Sequence, residues 1–222
     1  MKRRLALVGI EAISNVVDIT NYVLKELGQP MHAFDYEFLK SKQIIVRNAT
    51  SGEKITTLDE KEFELSNSNL VICDSKKPVA LAGIMGGLNS GIKDSTLDIV
   101  FESAKFARDN IRKTSRALGQ RTDASSRYEK GVDYYSVELG LNRALNLIET
   151  LNCGDISCDE YDLVDGKIND TGHYVGSKGD QRIAGHLLGA KHQLGHAHGR
   201  ADGAFLYQGH HFVGQGRQDI FD

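Results

Sequence analysis

Five short stretches of this chain gather residues whose chemistry is unusual for their setting. GQPMHAFD, from Gly28 to Asp35, packs a proline, a methionine, a histidine and a phenylalanine into one turn, and His32 is the only histidine in the first 170 residues. A lone histidine either packs half-buried in a core or faces a pocket, where its ring nitrogens can donate, accept or carry a proton. VFES sets Glu102 inside an apolar strand, where alternation can also send it to solvent. DITNY puts Thr20 and Asn21 on a helix just before the histidine turn, PVALAGIMGG places Gly83, Gly86 and Gly87 after a strand, and RTDAS sets Thr122 and Ala124 two apart in a loop. Taken singly, the glycines can simply end a strand and RTDAS can be a helix-to-loop cap. Taken together, the five stretches read as groups gathered for a site. No serine or cysteine stands in an argued relation to a histidine and an aspartate, so a nucleophilic triad has no support.

The elements that must position these residues follow from hydrophobic spacing. Val16, Val17, Ile19, Val23 and Leu27 fall near helical spacing; Ser14 or Asn15 can cap the start and Gly28 the end, so this helix delivers the chain into GQPMHAFD. Short strand-like runs follow: QIIVRN, EKITTLD, FELSNSN, LVICD, PVALAGIMGG and DIVFESAKF, with LDEKEFEL reading as a hairpin. DNIRKTSRALG reads as a helix with Asp109 near its start, Gly119 past its end and a thin stripe of Ile111 and Leu118. QRTDASSRYEKG reads as a loop. Asp133 then caps a long helix whose apolar face is Val137, Leu141, Ala144, Leu145 and Ile148, with Gly154 beyond its last turn. Strands flanked by helices on either side predict an α+β fold.

A chain of 222 residues with 40% hydrophobic content can bury one sizeable domain, or one domain with an appendage. No apolar run reaches membrane-span length, and MKRRLALVGIEAI is basic then apolar without a small-residue cleavage site, so we expect a cytoplasmic protein with no membrane partner. Cys73, Cys153 and Cys158 lack metal-ligand spacing and are expected as free thiols. The formal net charge is −3, but Lys105 to Lys130 carries eight basic residues against three acidic ones. Such a run is either a solvated helix face or a surface that tracks phosphates, with Arg112, Lys113, Arg116 and Arg121 the candidate RNA contacts. From about residue 166 the composition shifts: 11 of the 23 glycines and seven of the eight histidines lie between Ile168 and Asp222, with no apolar period. We expect the domain to span residues 1–165 and residues 166–222 to be a tail outside it. GHAHG and GHH invite a metal reading, but no cysteine or carboxylate accompanies them at a recognisable spacing, and no metal site is expected.

NVVDITNYVLKELGQPMHAFD, ITTLD, PVALAGIMGG, IRKTSRALGQRTDASSRYEKGVD and LGLNRALNLIE together resemble the B3/B4 editing region of the bacterial phenylalanyl-tRNA synthetase β subunit, from roughly Arg3 to Asp165. The resemblance implies a mixed, largely antiparallel sheet or barrel-like core flanked by helices. It also implies strands preceding LALVGIEAI, so that the domain is truncated at its N-terminus. The activity implied is hydrolysis of tyrosine mischarged onto phenylalanine tRNA. The partners implied are that tRNA, a synthetase α subunit and a second β subunit in a heterotetramer. Editing needs no cofactor; ATP and Mg²⁺ serve the parent ligase at sites outside this fragment. Residue by residue, the resemblance places Thr20, Asn21, Gly86, Glu102, Thr122 and Ala124 around the substrate. His32 is the candidate for handling a proton, and Gly28 and Pro30 set its turn.

The residue types suit that chemistry. Tyrosine is phenylalanine plus one hydroxyl, which an apolar synthetic pocket rejects by only about 10²-fold. A second site that selects the hydroxyl is needed, and a carboxylate at Glu102 can accept its hydrogen bond. Gly86 and Ala124 leave flat room for the ring. Thr20, Asn21 and His32 can bond the ester, the terminal adenosine or a water, and an activated ester needs positioning and polarisation more than a strong base. The competing reading is a non-catalytic RNA-binding module, in which the basic stretch acts and the pocket is vestigial.

Overall fold

The computed structural model describes residues 1–40 and 42–156 in full and, beyond them, the backbone of five strands. Two helices open the chain, α1 (Lys2–Leu7) and α2 (Asn15–Leu27). Eight strands follow: β1 (Met31–Asp35), β2 (Gln43–Asn48), β3 (Lys54–Thr56), β4 (Glu62–Glu64), β5 (Leu70–Cys73), β6 (Pro78–Leu81), β7 (Met85–Gly86) and β8 (Ile99–Phe106). Helices α3 (Arg108–Ala117), α4 (Asp123–Tyr128) and α5 (Tyr135–Leu151) come next. The remaining strands are β9 (Asp159–Val164), β10 (Lys167–Ile168), β11 (Tyr174–Val175), β12 (Ile183–Gly189) and β13 (Phe205–Gln208). No helix among the described residues is long and apolar enough to cross a membrane.

The fold is α+β, with antiparallel sheets. One sheet runs β1-β8-β12-β9 and another β13-β2-β5-β6-β7; β3 and β4 form the hairpin read in LDEKEFEL. The described strands do not close into a barrel, so the barrel-like alternative gives way to separate sheets flanked by helices. Strands β12 and β13 belong to the stretch after residue 165, and their backbones pair with β8 and β2 respectively.

Sheet β1–β8 is buried on both faces, which is why DIVFESAKF lacks a clean alternation. One face carries Ala33, Ile99 and Phe101 against Ile19 and Val23 of α2 and Leu141, Ala144 and Ile148 of α5. The other carries Phe34, Val100, Ala104 and Phe106 into a larger core with β2, β5, β6 and Ile111. Each large apolar side chain so enclosed contributes roughly 1.5–3 kcal/mol of transfer free energy.

Helix α2 behaves as its spacing requires. The Ser14 hydroxyl accepts from the Val17 N–H at 3.3 Å, and Gly28 closes the helix at φ +78°, a left-handed conformation that suits glycine. Three expectations are corrected. GQPMHAFD turns only as far as Pro30: Met31–Asp35 form β1, so His32 projects from a strand paired with β8 and not from a turn. RTDASSRYEKG contains a helix, α4, with Thr122 as its N-cap, where a loop was read. Asp133 does not cap α5: the helix starts at Tyr135, the Asp133 carbonyl accepts from the Ser136 hydroxyl at 2.7 Å, and the left-handed residue that ends it is Asn152 rather than Gly154.

Candidate functional site

Strand register aims two of the expected residues at one space. His32 and Glu102 are direct partners across β1 and β8, flanked by the Phe34–Val100 pair on the same face, away from α2 and α5. A cavity of about 130 Å³ opens there, walled by His32, Glu102, Gly86, Ala124, Ile84, Met85, Tyr128 and the half-exposed Leu58. Four of the seven expected site residues therefore meet at one cavity: His32, Gly86, Glu102 and Ala124.

His32 meets Phe34 edge to face, with ring centroids 4.5 Å apart. Its Nε2 is buried with no hydrogen-bond partner among the described residues. Burial holds the imidazole down at about 4 from its usual 6.5, so the ring is neutral at physiological pH and its tautomer is free to follow a ligand. Glu102 is 8% exposed, which excludes the solvent-facing option. Burial pushes its carboxyl up to about 8 from 4.5. The expectation of a charged acceptor is thereby corrected: at pH 7 Glu102 is mostly a neutral acid, able to donate through its O–H and accept through its carbonyl oxygen.

The small residues are small for identifiable reasons. A Cβ on Gly86 would run into Cε1 of His32, come within 2.7 Å of its Nε2 and lie 3.0 Å from Leu58. Gly83, at φ +65°, lies where a Cβ would come within 2.8 Å of Phe106 and 2.9 Å of Tyr128. Ala124 reaches the cavity from the first turn of α4. Thr122 does not line it. Its hydroxyl accepts from the Ser125 N–H at 3.1 Å and donates to the Ile84 carbonyl at 2.9 Å, while the Ser125 hydroxyl accepts from the Thr122 N–H at 2.9 Å. Thr122 thus ties α4 to the segment that carries Gly86.

Thr20 and Asn21 also lie off the cavity wall. The buried Thr20 hydroxyl donates to the Val17 carbonyl at 2.8 Å. Asn21 stands one helical turn before Lys25, whose ammonium pairs with Asp123 of α4 at 2.7 Å. Arg112, Lys113 and Arg116 are exposed on α3, opposite its buried Ile111, Thr114 and Ser115, and Arg121 is exposed in the following loop. Arg112 lies 3.7 Å from Asp109, and Arg121 donates to the Ser126 hydroxyl at 3.4 Å.

Tyr128 and Leu58 are wall residues in stretches where the sequence offered no site candidate at their positions. Tyr128 lies four residues after Ala124, on the same helix face, a relation visible only once RTDASSRY is read as helical. Leu58 is held over the cavity because its N–H donates to the Gly86 carbonyl at 2.9 Å. The neighbouring Asp59 carboxylate accepts from Lys61 at 2.8 Å and from the Gln120 amide at 2.9 Å, contacts that hold it well below the usual carboxylate range. Among the described residues no cluster of histidine, cysteine and carboxylate could hold a metal ion; the histidines after residue 166 lie outside the described side chains.

An α+β domain with a half-buried histidine beside a buried carboxyl at the wall of an apolar cavity, near an exposed basic helix, defines a small-ligand pocket next to a cationic surface. The family model described as "B3/4 domain" matches residues 1–153, and the chain belongs to that family. It is 55% identical over 156 residues to the phenylalanine–tRNA ligase beta subunit of Syntrophus aciditrophicus, covering 70% of this chain and 19% of that protein. It is 51% identical over 156 residues to the beta subunit from Clostridium acetobutylicum (70% and 20%), and 43% identical over 185 residues to that from Clostridium tetani (83% and 23%). The chain spans about a fifth of the length of these relatives.

Proposed function

We propose that this domain hydrolyses the ester between tyrosine and the tRNA for phenylalanine, removing a mischarged amino acid. The observation that carries this reading is Glu102, a hydrogen-bonding acid set in an apolar cavity wall directly opposite His32. A tyrosyl ring entering the cavity brings a hydroxyl that Glu102 can pair with. A phenylalanyl ring excludes water from the carboxyl and offers nothing in exchange, a loss of about 1–3 kcal/mol. Selection therefore runs opposite to that of a synthetic site that excludes the hydroxyl.

The neutral Nε2 of His32 can accept a hydrogen bond from a water or from the substrate. No strong base is required, since an aminoacyl ester is already activated and positioning supplies much of the barrier reduction. Gly86 and Ala124 keep the ring's space open. Asn21, partly exposed and off the wall, is assigned to the terminal adenosine; the buried Thr20 spends its hydroxyl proton on the Val17 carbonyl and acts within α2, and Thr122 acts by fixing α4. The exposed Arg112, Lys113, Arg116 and Arg121 serve the phosphate backbone of the tRNA. In the longer protein, ATP, Mg²⁺, the α subunit and a second β subunit serve ligation at sites outside this segment.

The test is deacylation of phenylalanine tRNA charged with tyrosine or with phenylalanine. Faster loss of tyrosine supports the proposal. Binding of the tRNA without hydrolysis of either ester supports the RNA-binding module instead.

A further inference from the structure

Pro30 creates a gap in the ladder that holds the pocket together. Met31 pairs with Ser103, so the next step of the register sets Pro30 against Ala104. Proline has no N–H to donate, and the ladder bond cannot form there. Two side chains take its place. The amide of Gln29 donates to the Ala104 carbonyl at 2.9 Å and to the Pro30 carbonyl at 3.0 Å. The Tyr128 hydroxyl donates to the same Ala104 carbonyl at 3.0 Å, with the Pro30 carbonyl 3.4 Å away.

Gln29 is itself fully buried and held from behind. Its Oε1 lies 2.9 Å from the Ser136 hydroxyl of α5, whose one proton is shared with the Asp133 carbonyl at 2.7 Å. Gly140, one turn on, leaves room for it, since a Cβ there would come within 2.6 Å of the Gln29 Cγ. The two carbonyls that take the amide N–H bonds fix its orientation, and the shared Ser136 hydroxyl faces its oxygen. The bonded carbonyls lie in the plane of the sheet and belong to Pro30, two residues before His32, and Ala104, two residues after Glu102, so they anchor the backbone from which that pair projects.

We propose that Gln29 and Tyr128 form a clasp replacing the missing ladder bond, and that through it they are positioning residues for His32 and Glu102. The proposal rests on the hydrolytic reading for its kinetic consequence, but its structural claim stands apart from it. A strand end without this bond can shift by a fraction of an ångström, and misplacement of about 1 Å can lower a rate by 10²-fold. Helix α5, off the cavity wall, joins the site through Gln29 as well as through the Ser103 hydroxyl, which donates to the Val137 carbonyl at 2.7 Å.

The experiment compares three single variants of the full chain: Tyr128→Phe, which keeps the ring, Gln29→Met, which keeps the volume, and Gly140→Ala, which pushes on the Gln29 stem and leaves both donor groups in the chain. The readouts are the His32 imidazole resonances by NMR, assigned by their loss in His32→Gln, and kcat and KM for tyrosyl-tRNA hydrolysis. The expected result is displaced His32 resonances in all three, with kcat lower by about 10- to 100-fold and KM within about twofold. Gln29 and Gly140 lie off the cavity wall, and an added Cβ at Gly140 crowds Gln29 at 2.6 Å while it meets the Ser103 hydroxyl only at an ordinary 3.5 Å, so displacement in those variants reports on the clasp first. If melting temperatures fall while His32 resonances stay unmoved in Gln29→Met and Gly140→Ala, the residues are structural only and the proposal is overturned. If the unaltered chain hydrolyses neither ester, the hydrolytic reading fails, and the resonances alone still decide the clasp.

Discussion

Burial strips the charge from both His32 and Glu102, and the consequences for stability run in opposite directions with pH. His32 titrates at about 4 in the folded chain against 6.5 ordinarily, so the unfolded state binds the extra proton and stability rises from about pH 4 to 6.5. Glu102 titrates at about 8 against 4.5, so its contribution is complete below pH 4.5 and is lost as pH rises to about 8. The two offset each other up to pH 6.5; above it Glu102 acts alone. Over the next one and a half pH units it should remove roughly 2 kcal/mol, at about 1.4 kcal/mol per unit. Thermal melts at pH 6.5 and 8 check this: the unaltered chain loses stability across that interval by more than Glu102→Gln does, and equal losses would contradict it. Gly86 gives a second expectation. Gly86→Ala drives a methyl into the His32 ring, so tyrosyl-tRNA hydrolysis should fall more than tenfold while the chain still melts cooperatively, since the ring can swing into the cavity. An alanine variant with full activity would mean that His32 does not need its present place. At this scale the sequence exposed residue types but not charge state: Glu102 was legible as odd in an apolar strand, whereas its neutrality depends on a second sheet that packs over it.

The elements were legible where their periods were long. Helix α2 stands where thirteen residues of hydrophobic spacing put it, whereas the strands within the six runs, β3 and β4 only three residues each, were legible from the polar turns that bound them. Helix α4 was not, since six residues offer fewer than two turns, and the run of Asp, Ser and Arg reads as solvent-loving loop. Its signal was Thr122 with Ser125 three positions on, a short version of a reciprocal cap. The same cap yields an expectation. Thr122→Val keeps the shape but removes the acceptor for Ser125 and the donor to Ile84, which should cost about 1–2 kcal/mol. Melting should therefore drop by roughly 2–8 °C for a chain of this size. Hydrolysis should fall with it, because Ala124 loses its mooring; a variant as stable as the parent would show the cap to be idle. Asp133 gives the converse case: the helix starts at Tyr135 with Tyr134 at its cap position, and Asp133 meets it through its main-chain carbonyl, which accepts from the Ser136 hydroxyl.

Across the whole molecule, two cores share the sheet β1–β8, and all their described members lie at or before residue 156. Composition alone marked the change after residue 165, whereas pairing partners are set by three-dimensional register that no spacing rule displays. We propose that the domain ends near Asp165, and limited proteolysis of the full chain should trim the glycine- and histidine-rich end and leave a resistant core of the first 165 or so residues. A segment as protected as β8 would instead make β12 and β13 integral to the sheets. The relation between α3 and the cavity was legible only in part: the basic run was plain in the sequence, its arrangement opposite a buried stripe was not. The central claim is that Glu102 reads the tyrosyl hydroxyl, and the most direct measurement is the ratio of kcat/KM for tyrosyl over phenylalanyl esters of the same tRNA, in the unaltered domain and in Glu102→Leu. We expect a ratio on the order of 10² in the former, collapsing to near unity in the latter with the tRNA bound equally well. A ratio that survives the loss of Glu102 would contradict the claim and move recognition of the hydroxyl elsewhere in the cavity.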